Sequence, residues 1–147
     1  MKKVLLLLFV LGAGNALHPL SAQECRPSDG TLQRSETDSV EAVRFIKDFY
    51  ASCVFGTTDC EPLLKKSCTA RLLKKLSDNY GYDGEGYAVW LFRTDAQDGP
   101  SDVSEVTAVA ALSDGLYEVN FIDRGIAGRR ILKIADENGV LKIDAVK

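Results

Sequence analysis

Apolar residues recur at three- and four-residue steps in the first half of the chain and at two-residue steps in the second. Helices are therefore expected first and strands after them. Between residues 39 and 54, Val40, Val43, Ile46, Phe49, Tyr50 and Cys53 share one stripe of a 3.6-residue period, and Phe45 widens it. That spacing predicts an amphipathic helix, and Asp38-Ser39-Val40-Glu41 ahead of it has the form of a capping box. Gly56-Thr57-Thr58-Asp59 ends the helix and offers a new cap. Pro62 then sits early in a second, short helix, where its missing N–H costs little. Thr69 is placed to cap a third helix carrying Leu72, Leu73 and Leu76, with Arg71, Lys74 and Lys75 outward. The Lys65-Lys66 and Lys74-Lys75 pairs read as solvated helix faces rather than anion sites.

After Ser77 the period changes. Residues 80–87, Tyr-Gly-Tyr-Asp-Gly-Glu-Gly-Tyr, form a glycine-rich aromatic loop. Strands are predicted at Ala88–Thr94, Val103–Leu112, Leu116–Asp123, Arg129–Ala135 and Val140–Val146. Asp114-Gly115 and Asn138-Gly139 supply hairpin turns. The fold class is α+β: N-terminal helices packed on a curved antiparallel sheet of four to five strands. A bent sheet wrapped around the first helix would bury Phe45, Phe49 and Trp90 together.

The N-terminus changes the picture of compartment. Lys2 and Lys3, the apolar run Val4–Leu11 and small residues up to Ser21-Ala22 have the form of a secretory signal peptide. Cleavage is expected after Ala22, with Ala16 as the alternative. A polar lead-in then covers 23–37, and a single domain covers 38–147. The apolar run falls well short of the roughly 20 residues of a membrane span. Cys25 does not directly follow a small residue, so a lipid anchor is not expected. The protein is expected to be exported, either periplasmic or secreted.

Composition narrows the chemistry. The chain is 46% apolar and 27% charged with a formal charge of −3, which excludes disorder and gives no basic footprint for nucleic acid. Its one histidine, His18, lies in the predicted leader. Removing residues 1–22 takes two lysines and no acid, and leaves no histidine. That excludes Ser-His-Asp and Cys-His catalysis and His-ligated zinc. Cys25, Cys53, Cys60 and Cys68 remain, at spacings of 28, 7 and 8 residues. These are not metal-ligand spacings, and an even count in a short exported domain predicts disulfides. Cys53 at the end of the first helix and Cys68 between the second and third predict a Cys53–Cys68 bond, with Cys60 tied to Cys25. Cys53–Cys60 is the rival pairing.

Three segments carry a family resemblance: Phe49-Tyr50-Ala51-Ser52-Cys53, residues 64–76 from Leu64 to Leu76, and Gly139-Val140-Leu141-Lys142-Ile143-Asp144. Over roughly Val40 to Val146 the chain resembles a family of small exported bacterial domains of unknown function. Their fold is a nuclear transport factor 2-like, cystatin-related α+β roll. The resemblance implies a cone-shaped roll with a pocket between the curved sheet and the helices. Some members of that superfamily are isomerases or dehydratases, and many only bind or dimerise. It supplies no catalytic residues for this chain.

Candidate sites are few. Asp78, Asp83 and Glu85 invite a calcium reading, but their spacing puts tyrosines at EF-hand ligand positions. Asp83 and Glu85 could act as an acid/base pair only if buried side by side. Glycines 81, 84 and 86 precede a strand, unlike a phosphate loop, and Arg129-Arg130 should point to opposite sheet faces. Tyr80, Tyr82, Tyr87 and Trp90 stand out as a recognition group, although Trp90 in the core with the tyrosines at the rim is the plainer expectation. No metal or cofactor is expected. Two functions remain: a non-catalytic binding or protein-interaction domain, or an isomerase- or hydratase-type enzyme using a pocket Asp or Tyr. The partner would be a protein, a small apolar ligand or a second copy of the chain. An isolated carboxylate deep in the roll would favour the enzyme, and exposed aromatic rings outside it would favour the binder.

Overall fold

The structure is a computed structural model that describes residues 29–94 and 98–147. The predicted signal peptide, Cys25 and the first part of the lead-in lie outside the described residues. The chain runs α1 (Asp29–Phe49), a π-helical turn (Tyr50–Val54), α2 (Glu61–Ser67), α3 (Ala70–Asp78), a 3-10 turn (Val89–Phe92), then β1 (Glu105–Ala111), β2 (Leu116–Asp123), β3 (Ile126–Glu137) and β4 (Val140–Val146). The four strands form one curved, unclosed antiparallel sheet in the order β1-β2-β3-β4, with the helices packed on it.

α1 begins at Asp29, so residues 29–37, expected as part of the polar lead-in, are helical. Once a helix is nucleated, each added residue contributes a hydrogen bond, and polar residues can continue it. Asp38 and Glu41 accordingly lie within α1 and not at its start. The expected cap at Thr69 holds. The N-cap of α2 is Cys60, which makes no side-chain capping bond, and Asp59 lies one residue ahead of it. Asp59 Oδ1 accepts from the Glu61 N–H at 3.0 Å, Pro62 lies in the first turn of α2, and Thr69 Oγ1 accepts from the Leu72 N–H at 3.2 Å.

β2 alternates strictly, with Tyr117, Val119, Phe121 and Asp123 buried against the helices. The first three meet Ile46, Phe49, Tyr50, Leu72 and Leu76 in a continuous core. Each hairpin turn has two residues at positive φ: Asp114 (56°) and Gly115 (68°), Arg124 (52°) and Gly125 (82°), and Asn138 (59°) and Gly139 (80°). Such turns twist with the strands they join. The Arg124-Gly125 turn lengthens β3 beyond its predicted Arg129 start.

α3 is tied to the far edge of the sheet. The Thr69 N–H donates to the Ile143 carbonyl at 2.9 Å, its hydroxyl donates to Asp144 Oδ1 at 2.9 Å, and Arg71 pairs with the same carboxylate. Two of the segments behind the family resemblance therefore meet in a structural joint.

Two expectations are corrected. Cys53 is bonded to Cys60, with Cα atoms 4.8 Å apart, within ordinary disulfide range. Among the described residues Cys68 is a free, buried thiol. The reason is α2. Cys60 precedes this seven-residue helix and Cys68 follows it. At 1.5 Å per residue the helix separates them by about 10 Å, so only the nearer cysteine reaches Cys53. Burial pushes the Cys68 thiol up to about 12, against the opposing charge of Lys142.

The second correction concerns Ala88–Thr94, which forms no strand. A short apolar run does not distinguish a strand from a turn of helix. With three residues per turn, Val89 and Phe92 fall on one side and face the core, leaving Trp90 outside. Phe92 is fully buried, while Trp90 is 39% exposed. The large ring inside the fold is therefore Phe92.

Candidate functional site

Residues 88–94 are held from the inside by polar groups of the sheet and first helix. The Ala88 N–H donates to the Leu76 carbonyl at 3.0 Å, fixing the entry from α3. The Tyr50 hydroxyl donates to the Phe92 carbonyl at 3.2 Å. Arg130, on the helix side of β3, donates through Nε to the Leu91 carbonyl at 2.9 Å and through Nη2 to the Arg93 carbonyl. Arg129 turns the other way and pairs with Glu118 at 3.0 Å, as adjacent residues of a strand must.

Asp123 closes this clamp. Its side chain is fully buried at the end of β2, and its two oxygens accept four hydrogen bonds. Arg93 donates through Nη2 at 2.6 Å and Nε at 3.2 Å. Thr94 donates through its backbone N–H and its hydroxyl, both at 3.0 Å. Burial alone would raise this carboxyl, but the bonds from Arg93 and Thr94 outweigh it and hold Asp123 below the ordinary carboxylate value. The Arg93 guanidinium also lies 5.7 Å from the centre of the Phe55 ring. Burial shifts the Tyr50 phenol well above its ordinary value, against the nearby charge of Arg130.

The same segment presents Trp90 outward, against two tyrosines of the preceding loop. Tyr80 stacks on Trp90 with centroids 5.8 Å apart and planes 29° from parallel. Tyr82 meets Trp90 edge-on at 5.9 Å and Tyr80 at 5.5 Å. Tyr82 is 67% exposed. Gly86 packs over the tip of the Tyr80 ring so closely that a Cβ there would come within 2.5 Å of it. The glycines of this loop thus include one that the ring cluster requires. Three of the four singled-out aromatics come together; Tyr87 lies apart, partly buried against the core.

The acidic residues are arranged otherwise. Asp83 and Glu85 are exposed on the loop and Asp78 pairs with Lys74 at 2.8 Å. Among the described residues no three His, Cys, Asp or Glu side chains converge on a metal site. Lys65 pairs with Glu61 at 2.5 Å. Its amine is held above the ordinary lysine value, first by that hydrogen bond, with the charges of Glu61, Tyr87 and Glu85 adding to it.

Among the described residues, Tyr50, Phe92, Phe121, Ile46 and Leu132 are large side chains fully buried in the core. Shallow clefts lie among the described residues. One of about 210 Å³ lies beside Ala42, Tyr117 and Ile134, and one of about 290 Å³ beside Arg44, Phe45 and Val140. No described helix is long and apolar enough to cross a membrane.

No protein-family model matches the chain, and a search of curated proteins finds no match. The fold is similar to that of a protein of unknown function from Bacteroides thetaiotaomicron VPI-5482, solved by crystallography at 2.10 Å. The TM-score is 0.58 at 21% identity, over 81% of this chain and 99% of that one. The likeness concerns the fold alone. It sets this chain beside an uncharacterised bacterial domain.

Proposed function

We propose that this chain is an exported, non-catalytic binding domain whose contact surface is the Tyr80, Tyr82 and Trp90 platform and whose partner is a protein. One observation carries the reading: three large rings cluster at the surface, and one of them, Trp90, sits on a segment anchored from within. Tyr and Trp combine large contact area with few rotatable bonds, and they dominate binding energy at protein interfaces. Export rests on the basic, apolar and small-residue pattern of residues 1–22, and the Cys53–Cys60 bond fits an oxidising compartment. The curved open sheet over three helices supports reading the fold as a nuclear transport factor 2-like roll.

The binder is preferred to a pocket isomerase or hydratase because of how the interior acids and phenols are engaged. Asp123 is the buried carboxylate among the described residues, and Arg93 and Thr94 donate to its oxygens. A general base needs a free lone pair aimed at substrate. Tyr50 donates to a backbone carbonyl within the core.

The test is capture from host extract with the wild type and with a Tyr80→Ala/Tyr82→Ala/Trp90→Ala variant of unchanged melting behaviour. A protein retained by the first and lost by the second is the expected result. Equal retention by both would exclude the platform as the contact surface.

A further inference from the structure

We propose that the platform, with Asp83 and Glu85, receives a cationic side chain, arginine or lysine, from a basic segment of a partner protein. The inference rests on the platform being a binding surface and names the chemistry it selects.

The three rings pack on one another at 5.5 to 5.9 Å, so no slot lies between them for a flat apolar ligand. What they offer is outward surface, chiefly on Tyr82 and Trp90. Aromatic faces carry negative electrostatic potential and attract cations, Trp most strongly.

The surrounding charge has the same sign. Residues 79–87 contain Asp83 and Glu85 and no lysine or arginine. The neighbouring Lys65 and Lys74 are each engaged by a carboxylate of their own helix, Glu61 and Asp78. Among the described residues neither Asp83 nor Glu85 forms an ion pair, although Lys65 lies within electrostatic reach of Glu85. An apolar ligand covering this loop would strip water from two carboxylates and give them no partner, which is costly. An anion would be repelled. A guanidinium or ammonium satisfies rings and carboxylates together.

Trp90 is the chain's single tryptophan, so its fluorescence reports on this surface directly. The full chain would be titrated with tetra-arginine amide, and with tetra-glutamine amide as the neutral control. Tetra-arginine should change Trp90 emission saturably, and tetra-glutamine should not. The arginine affinity should fall about tenfold or more in Asp83→Asn/Glu85→Gln and in Tyr82→Ala, and should weaken with added salt. Equal responses to the two peptides, or unchanged arginine affinity in the charge variant, would overturn the cation assignment. So would silence toward tetra-arginine in a chain that still captures a protein through its aromatic rings. That last outcome leaves the binding surface standing, whereas capture insensitive to the triple aromatic variant removes it.

Discussion

Asp123 and Trp90 sit on opposite sides of one short piece of chain, residues 88–94, and the two sides are built by different rules. On the inner side polar groups are paired: Asp123 with Arg93 and Thr94, Arg130 with the carbonyls of Leu91 and Arg93, Tyr50 with the carbonyl of Phe92. On the outer side Trp90, Tyr80 and Tyr82 touch chiefly one another and solvent. Stability should therefore reside in the clamp, and recognition in the rings, with little overlap. A contact surface exposed this way costs hydrophobic stabilisation, and the fixed backbone beneath it limits the ordering cost of binding.

The largest effect expected from breaking this division is at Asp123. Asp123→Asn leaves Arg93 facing a neutral amide and should lower unfolding free energy by about 3 kcal/mol. The pH dependence sharpens the point. The folded carboxyl titrates below its unfolded value of about 3.9, so its contribution is complete above that value. It is lost as pH falls through the folded pKa. The gap between wild type and Asp123→Asn in urea unfolding should stay constant from about pH 5 to 7 and shrink toward pH 3. A constant gap into acid would show that the ion pair is not what Asp123 contributes.

Tyr50→Phe comes next. The ring stays packed against Phe92 and Phe121, and only the bond to the Phe92 carbonyl is lost, for a cost of about 1 kcal/mol. Gly86→Ala should cost less than about 1 kcal/mol, since its Cβ meets the movable tip of Tyr80. The same change should loosen the stack on Trp90 and alter its fluorescence. Tyr82→Ala, removing the most exposed ring, should stay within about 0.5 kcal/mol of wild type in the same unfolding measurement. A large loss there would mean that the platform is part of the core after all.

The two sides also differ in how far the sequence discloses them. β2 and β4 match their predicted ranges because the alternation of β2 and the Asp-Gly and Asn-Gly turns ahead of the two strands are local signals. The aromatic loop was visible as composition, and its tyrosines as recognition candidates. The placement of Trp90 was not, because the five-residue apolar run Ala88–Phe92 carries no marker separating a strand from a 3-10 turn. The clamp joins residues as far apart as Tyr50 and Phe92, and no local pattern records such pairs. A weak signal existed: Asp123 is in phase with Tyr117, Val119 and Phe121 on the inward face of β2, and a charge in that phase needs a partner. The Arg124-Gly125 turn lacks the Asn-Gly or Asp-Gly signature, and the cysteine pairing depends on where α2 intervenes.

The most direct test of the central claim, that residues 88–94 are held from inside while presenting Trp90 outside, is acrylamide quenching of Trp90 in the native protein. Exposure of 39% predicts ready quenching under native conditions at a substantial fraction of the unfolded rate, increased by Tyr82→Ala with no change in melting temperature. Blue-shifted emission resistant to quencher until the protein unfolds would place Trp90 in the core and contradict the account.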